Sequence, residues 1–91
     1  MRLHTVKKTS TGFVVIREKV ELRNGRSMTV PEISYEFDDS KKMTLYMDHK
    51  FQIPQTEVVY ALEVMEEEGH NVAHFGFAGS LISTKFEGLL N

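Results

Sequence analysis

Residues 13–37 read FVVIREKVELRNGRSMTVPEISYEF, and this stretch decides the fold. Two runs rich in β-branched and aromatic residues flank Asn24-Gly25, the pair that best tolerates the positive φ angles of a type I′ turn. The stretch therefore predicts a β-hairpin with a two-residue turn. In this register the residue numbers of two paired residues add up to 49, so that Ile16 lies opposite Ile33 and Val14 opposite Tyr35.

The register separates the hairpin into two faces of different character. One face carries Val14, Ile16, Val20, Ile33 and Tyr35, and we expect it to line the core. The other face mixes apolar, basic and acidic side chains, and we expect it to be the outer face of the sheet.

Four further strands and a helix are predicted around the hairpin. Strict alternation of apolar and polar residues over 43–53 predicts a strand. Thr56 can cap a helix over 56–68 that Gly69 stops, with Val58, Ala61, Leu62 and Met65 as its core stripe. The remaining strands are predicted at 3–8, 72–77 and 81–86, with a turn over 76–80; a short final helix after residue 81 is an alternative.

These elements predict one domain over residues 1–91, of the α+β class. The order is ββββαββ, with an antiparallel sheet of five to six strands and one packed helix. A chain of 91 residues is too short for two independent cores, and 41% hydrophobic residues are typical of a globular protein.

The amino-acid composition indicates the cellular compartment in which the protein works. There is no cysteine, which favours a reducing compartment, and the start of the chain, MRLHTVKKTSTG, does not resemble a secretory signal. The longest nearly apolar stretch is 58–65, well below the ~20 residues that span a bilayer. We expect a soluble, cytoplasmic protein.

No motif predicts catalysis, a metal site or a cofactor. His70 and His74 are four residues apart, but Gly69 ends the helix before them, and on a strand this spacing places the side chains ~13 Å apart. Gly76-x-x-Gly79 has no basic residue beside it and is better explained as a turn than as a phosphate loop. We therefore expect that the protein is not an enzyme.

Surplus apolar surface predicts a protein-interaction or assembly domain, most simply a homodimer, of the small accessory or regulatory kind found in bacteria and phages. Residues 1–50 hold ten Lys and Arg against seven Asp and Glu, whereas 51–91 hold Lys85 against six Glu, a dipolar distribution that could orient association. The candidate interface residues are on the outer sheet face and the helix flank: Phe13, Val15, Met28, Val30, Tyr46, Tyr60 and Val64.

Two alternatives remain open. Basic residues among aromatics on a sheet are typical of single-strand nucleic-acid platforms, and Arg17, Lys19, Arg23, Arg26 and Lys50 would form that surface. Four acidic residues on the same face leave it little net charge, which makes nucleic acid the weaker prediction. The second alternative is a small-ligand or enzymatic site near His49, His74 and Tyr60.

Overall fold

The computed structural model describes residues 2–76 and 78–88. In these ranges five strands and two helices follow one another as β1 (Arg2–Thr9), β2 (Gly12–Arg23), β3 (Arg26–Phe37), α1 (Ser40–Phe51), α2 (Gln55–Glu68), β4 (Val72–Phe75) and β5 (Leu81–Lys85). The strands form one antiparallel sheet in the order β3-β2-β1-β4-β5. The predicted α+β class is confirmed; the element order differs at one place, where a helix replaces the predicted fourth strand.

The hairpin turn is the one that Asn24-Gly25 predicts. Both residues have positive φ, 53° and 76°, and Arg23 pairs with Arg26. The predicted register continues as far as Glu18, which lies opposite Pro31. Because β3 is an edge strand of the sheet, the missing N–H of Pro31 costs no inter-strand hydrogen bond on its outer side.

A β-bulge then shifts the register by one residue. It falls between Arg17 and Glu18, so that Arg17 lies opposite Ile33, with Glu32 as the extra residue of β3. The predicted pairs of Ile16 with Ile33 and of Val14 with Tyr35 are therefore wrong. Val15 lies opposite Tyr35 instead.

Strand β2 turns the Val15 face, and not the predicted face, towards the core. Val15 is fully buried beside Val6, whereas its neighbours Val14 and Ile16 are half-buried on the opposite face. Side chains alternate along a strand, and only the Val15 side is covered by helices. The expectation that Val14, Ile16 and Val20 line the core is therefore wrong.

The segment predicted as a fourth strand is helix α1. Asp39 caps it by accepting a hydrogen bond from the backbone N–H of Lys41 at 2.7 Å, and it ends at Gln52, which has a φ of 57°. The buried residues Met43 and Met47 are four apart, a spacing that fits both the period of two and the turn of a helix. Alternation alone could not separate the two structures.

Helix α2 confirms the predicted helix to within one residue. Gly69, with a φ of 67°, terminates it, and Val58, Ala61 and Met65 are buried as the stripe predicts. The residue at the N-cap is Pro54 and not Thr56, and the carbonyl oxygen of Pro54 accepts from the N–H groups of Glu57 and Val58.

Strands β4 and β5 confirm the last two predicted strands, each one or two residues shorter than predicted. The Gly76 N–H donates to the Ser80 carbonyl oxygen at 2.9 Å, which closes the predicted turn; residue 77 and residues 89–91 lie outside the described part. The final-helix alternative does not hold for 81–85.

Both helices cover the same face of the sheet. Strand residues Val6, Val15, Ala73 and Phe75 form a core with Met43, Met47, Val58 and Met65 of the helices, among others. The Cα atoms extend over 39 × 34 × 21 Å, a flat two-layer shape. Within residues 2–76 and 78–88, no helix lies over the second face of the sheet.

Candidate functional site

The side chains on the sheet face away from the helices form the surface that we call the open face. Its members follow from the strand pairing, because residues paired across strands point to the same side. They are Leu3, Thr5, Lys7, Thr9, Val14, Ile16, Glu18, Val20, Leu22, Ser27, Thr29, Pro31, Ser34, Glu36, Val72, His74, Ser83 and Lys85.

Two complete rows of side chains cross all five strands on this face. From β3 to β5 the first row is Glu36, Val14, Lys7, Val72 and Lys85. The second row is Ser34, Ile16, Thr5, His74 and Ser83. The first row therefore has an acidic end and a basic end.

Strand β2 supplies most of the apolar surface of the open face. Val14, Ile16 and Val20 are only half-buried, and Leu22 is 77% exposed. On a monomer these aliphatic side chains stay in contact with water, at a cost of about 25 cal/mol for each Å² left exposed. An apolar sheet face of this kind is typical of a surface that packs against another layer.

A polar cluster lies in the middle of the open face. The Thr5 hydroxyl donates to Oε1 of Glu18 at 2.6 Å, and Nδ1 of His74 lies 3.0 Å from the same hydroxyl oxygen. Because the single hydroxyl hydrogen is given to Glu18, His74 must donate from Nδ1 to Thr5. The Nε2 atom is then left as an acceptor.

The surroundings of His74 favour the neutral imidazole. Burial lowers its pKa from the ordinary value, and the positive charges of Lys85 and Lys7 act in the same direction. The carboxylates of Glu18 and Glu87 oppose this shift and are outweighed. His74 therefore adds a hydrogen-bonding group to the open face without adding charge.

The first five predicted interface residues do not share one exposed face. Val15 is fully buried in the core and Phe13 packs against it. Met28 and Val30 lie on the helix side of the hairpin, where Met28 is 46% exposed. Tyr46 belongs to α1 and not to the sheet.

Tyr46 is part of an aromatic cluster between α1 and the hairpin. Its ring centroid lies 5.0 Å from that of Tyr35, 5.2 Å from that of Phe37 and 5.8 Å from that of Phe51. A hydrogen bond with Tyr35, together with burial, raises the pKa of Tyr46. These contacts hold α1 against β3.

The other two predicted interface residues lie on α2. Tyr60 is 55% exposed, and Val64 is half-buried. Near them, Leu45, Val59 and Leu62 line a shallow groove of about 490 Å³ between the two helices. This is a second exposed apolar surface, on the side of the molecule opposite to the open face.

The predicted basic residues are largely paired with carboxylates. Arg17 contacts Glu32 at 3.2 Å, and Glu21 contacts both Lys19, at 2.9 Å, and Arg23, at 3.0 Å. Arg26 and Lys50 are exposed and have no ion pair within the described residues, but Arg26 follows the hairpin turn whereas Lys50 lies in the last turn of α1. The structure therefore does not gather these five side chains into one cationic surface.

The three residues predicted for a small-ligand site are also separated. His49 and Tyr60 are exposed on α1 and α2, whereas His74 lies on the open face. The pair His70 and His74 makes separate hydrogen bonds, His70 to Thr84 at 2.7 Å and His74 to Thr5. Within 2–76 and 78–88, no three His, Cys, Asp or Glu side chains are close enough together to hold a metal ion.

His4 and the polar cluster are features that the sequence patterns did not indicate. The His4 ring is 8% exposed and lies 4.3 Å from the Phe51 ring, and neither ring nitrogen has a hydrogen-bond partner within the described structure. Burial and then the charge of Arg17 lower the His4 pKa. Thr5 and His74 are 69 residues apart, so only the adjacency of β1 and β4 brings them together.

Comparisons with known proteins find no matching family model, no curated relative and no solved structure with a similar fold. Among the described residues, neither helix has the length and apolar character needed to cross a membrane. The functional argument therefore depends on the geometry of the chain itself.

Proposed function

We propose that this chain is a non-catalytic assembly domain that self-associates through the open face. The observation that carries the proposal is the uncovered apolar surface of β2, on a sheet whose other face is packed against both helices. Packing a second layer on Val14, Ile16 and Val20 would remove their side chains from water, as the helices do for Val15.

The open face is better suited to bind a protein surface than a nucleic acid. Its charges are mixed, with Lys7 and Lys85 against Glu18 and Glu36, and its central groups are neutral or hydrogen-bonded to each other. Mixed polarity around an apolar centre is typical of protein interfaces. Nucleic-acid binding has less support, because phosphate contacts require free cations.

The open face is also preferred over the interhelical groove. It spans five strands, whereas the exposed apolar residues on the helices are limited to Leu45, Val59 and Tyr60. Broad area is what a stable interface needs, typically ~800 Å² for each partner.

Sedimentation velocity at micromolar concentration tests the proposal. We expect the parent to sediment with twice the 10.5 kDa mass of one chain. Leu22→Glu and Ile16→Glu should shift the population to monomer, because each puts a carboxylate into an apolar contact. Tyr60→Glu, which places a carboxylate at a 55% exposed apolar position on the helix side, is the control and should leave the dimer intact.

Two results would contradict the proposal. One is a parent that sediments as a 10.5 kDa monomer over the whole concentration range. The other is a dimer that Tyr60→Glu dissociates while the two open-face variants do not, which would transfer the interface to the helices. Far-UV circular dichroism on each variant checks that the fold survives.

A further inference from the structure

We propose that copies of this chain also associate head to tail, with the tip of the β2–β3 hairpin of one copy docked in the groove between α1 and α2 of the next. We call this tip, residues 20–29, the arm. The occupant of the groove is therefore a second copy of this chain. The contact goes beyond the open-face interface and does not depend on it, because it uses different surfaces.

The arm extends beyond the strand next to it. β1 begins at Arg2, which lies opposite Lys19, so β2 and β3 continue for about four residues, or ~13 Å, past their described partner in β1. Every residue from 22 to 29 is exposed. Both faces of the arm are therefore accessible to another molecule.

The helix-side face of the arm combines two adjacent guanidinium groups with an apolar side chain. Arg23 and Arg26 lie directly opposite each other, and Met28, 46% exposed, follows on the same face opposite Glu21. Like charges directly opposite each other destabilise a sheet. Glu21 contacts Arg23 at 3.0 Å but is shared with Lys19, and Arg26 has no ion pair within the described residues. The fold therefore leaves positive charge on the arm that is only partly compensated.

The groove between the helices has the opposite charge. Its apolar floor is formed by Leu45, Val59 and Leu62, and Glu63 and Glu66 line it towards the C-terminal end of α2. Negative charge is unfavourable at that end of a helix, and the last turn of α2, all of it described, holds no basic residue. A cationic apolar occupant would relieve this conflict, and the arm has that chemistry.

The spacing of the charges also matches. Directly opposite residues of an antiparallel pair, such as Arg23 and Arg26, have Cβ atoms about 4.5–5.5 Å apart. Residues three apart on a helix, such as Glu63 and Glu66, have Cβ atoms about 5–6 Å apart, so each guanidinium can meet one carboxylate.

The same docking places an apolar side chain over the apolar floor. Met28 lies two residues, or about 7 Å, along the strand from Arg26. Val59 lies four residues, or about 6 Å, along the helix before Glu63. When the charges meet, the Met28 side chain therefore reaches the floor of the groove and leaves water.

The arm and the acidic end of the groove lie at opposite ends of the molecule. Glu66 contacts Lys8, near the end of β1, at 3.4 Å, whereas the arm lies beyond Arg2, at the start of β1. The length of β1 and the arm together separate them by roughly 30 Å, so the arm cannot reach the groove of its own chain. The excess of positive charge in residues 1–50 and of negative charge in 51–91 favours the same head-to-tail alignment.

Such a contact is heterologous, because the two surfaces that meet are different. Successive copies form an open chain, or a ring where the rotation between neighbours closes. A standard interface uses about 20–30 residues on each side, and the arm presents far fewer. We therefore expect a weak contact that forms at high protein concentration.

Two variants with opposite charge reversals test the proposal. Arg23→Glu with Arg26→Glu makes the arm acidic, and Glu63→Lys with Glu66→Lys makes the groove basic. Within each variant, arm and groove then repel each other, and the head-to-tail contact should weaken about tenfold. In a mixture of the two, every arm meets a groove of opposite charge in the other variant. The mean mass from sedimentation equilibrium should therefore rise on mixing, and fall again in about 0.5 M salt.

A chain with all four substitutions separates this contact from a general effect of net charge. It has the net charge of the parent, and its acidic arm again matches its basic groove. It should therefore self-associate within about threefold of the parent. Far-UV circular dichroism checks that each variant keeps the fold.

Two exposed lysines of α1 provide matched controls. Lys41 lines the groove, whereas Lys50 lies in the last turn of the helix. Lys41→Glu replaces a positive charge in the groove with a negative one and should strengthen the contact about threefold. Lys50→Glu changes the net charge equally and should leave the contact unchanged.

The outcomes separate this proposal from the open-face interface. A mixture heavier than either variant alone, together with an associating four-substitution chain, supports head-to-tail docking. A mixture with the average mass of its two components, a four-substitution chain that does not associate, or equal effects of Lys41→Glu and Lys50→Glu would overturn it. Ile16→Glu, which leaves arm and groove intact, tests the open face separately, so either proposal can fail while the other stands.

Discussion

Replacing Gly12 by alanine should destabilise the fold more than any other alanine substitution at a glycine. Gly12 has a φ of 152°, and a Cβ built on it would lie 2.0 Å from the carbonyl oxygen of Phe37 and 2.9 Å from Cα of Asp38. Both obstacles are backbone atoms where β3 leads into α1, so no side-chain rotation relieves the clash. The start of β2 and the end of β3 would have to separate.

The magnitude follows from two contributions. The disfavoured backbone conformation costs about 1–2 kcal/mol and the overpacking about 1–3 kcal/mol, or roughly 3 kcal/mol together. For a domain of this size each kcal/mol lowers Tm by about 4–8 °C, which gives a decrease of about 12–24 °C. Urea unfolding followed by circular dichroism measures the free energy directly.

Gly25→Ala is the matched control. Gly25 also has a positive φ, 76°, but a Cβ there has no heavy atom within 4 Å. Only the conformational cost remains, about 1 kcal/mol. A Gly12→Ala variant within 1 kcal/mol of the parent, or less destabilised than Gly25→Ala, would refute the close approach of β2 to the β3–α1 junction.

Three further predictions concern His4, the α1 cap and the polar cluster. The pKa of His4 is lowered by burial and by a neighbouring positive charge, so the unfolded chain takes up a proton at a higher pH than the folded chain does. The free energy of unfolding should therefore decrease as the pH decreases below about 6.5. The urea midpoints at pH 7.5 and 5.5 should differ less in His4→Phe than in the parent. Asp39→Ala should cost about 1 kcal/mol in urea unfolding, because it removes the cap of α1, whereas Asp38→Ala, at an exposed neighbour, should cost less than half of that. His74 should be the Nδ1–H tautomer in ¹⁵N NMR spectra, and Thr5→Val should shift it towards Nε2–H; a parent already in the Nε2–H form would exclude the hydrogen-bond directions described above.

Much of the architecture could be predicted from local signals. Asn24-Gly25 predicts the hairpin because few residue pairs accept two positive φ angles. Gly69 predicts the end of α2 because a helix commonly ends at one residue with positive φ, which glycine adopts without strain. The sequence patterns predicted an outer sheet face with apolar residues but assigned the wrong residues to it. An apolar sheet face is present, but it carries Val14, Ile16 and Val20 where the sequence patterns indicated Phe13 and Val15.

By itself the sequence determined the elements whose signal is contained within a few neighbouring residues: the hairpin turn, helix α2, the last two strands and the α+β class. Tertiary structure decided the rest. Met43 and Met47 fit a strand and a helix equally well, and the helix prevails because both can then pack on the sheet. The bulge beside Arg17 shifts the β3 register by one residue, and the helices cover the Val15 side of β2, which leaves Val14 and Ile16 on the open face. The Thr5–His74 contact exists only because β4 returns to pair with β1, a choice made by the core as a whole and not by any local pattern.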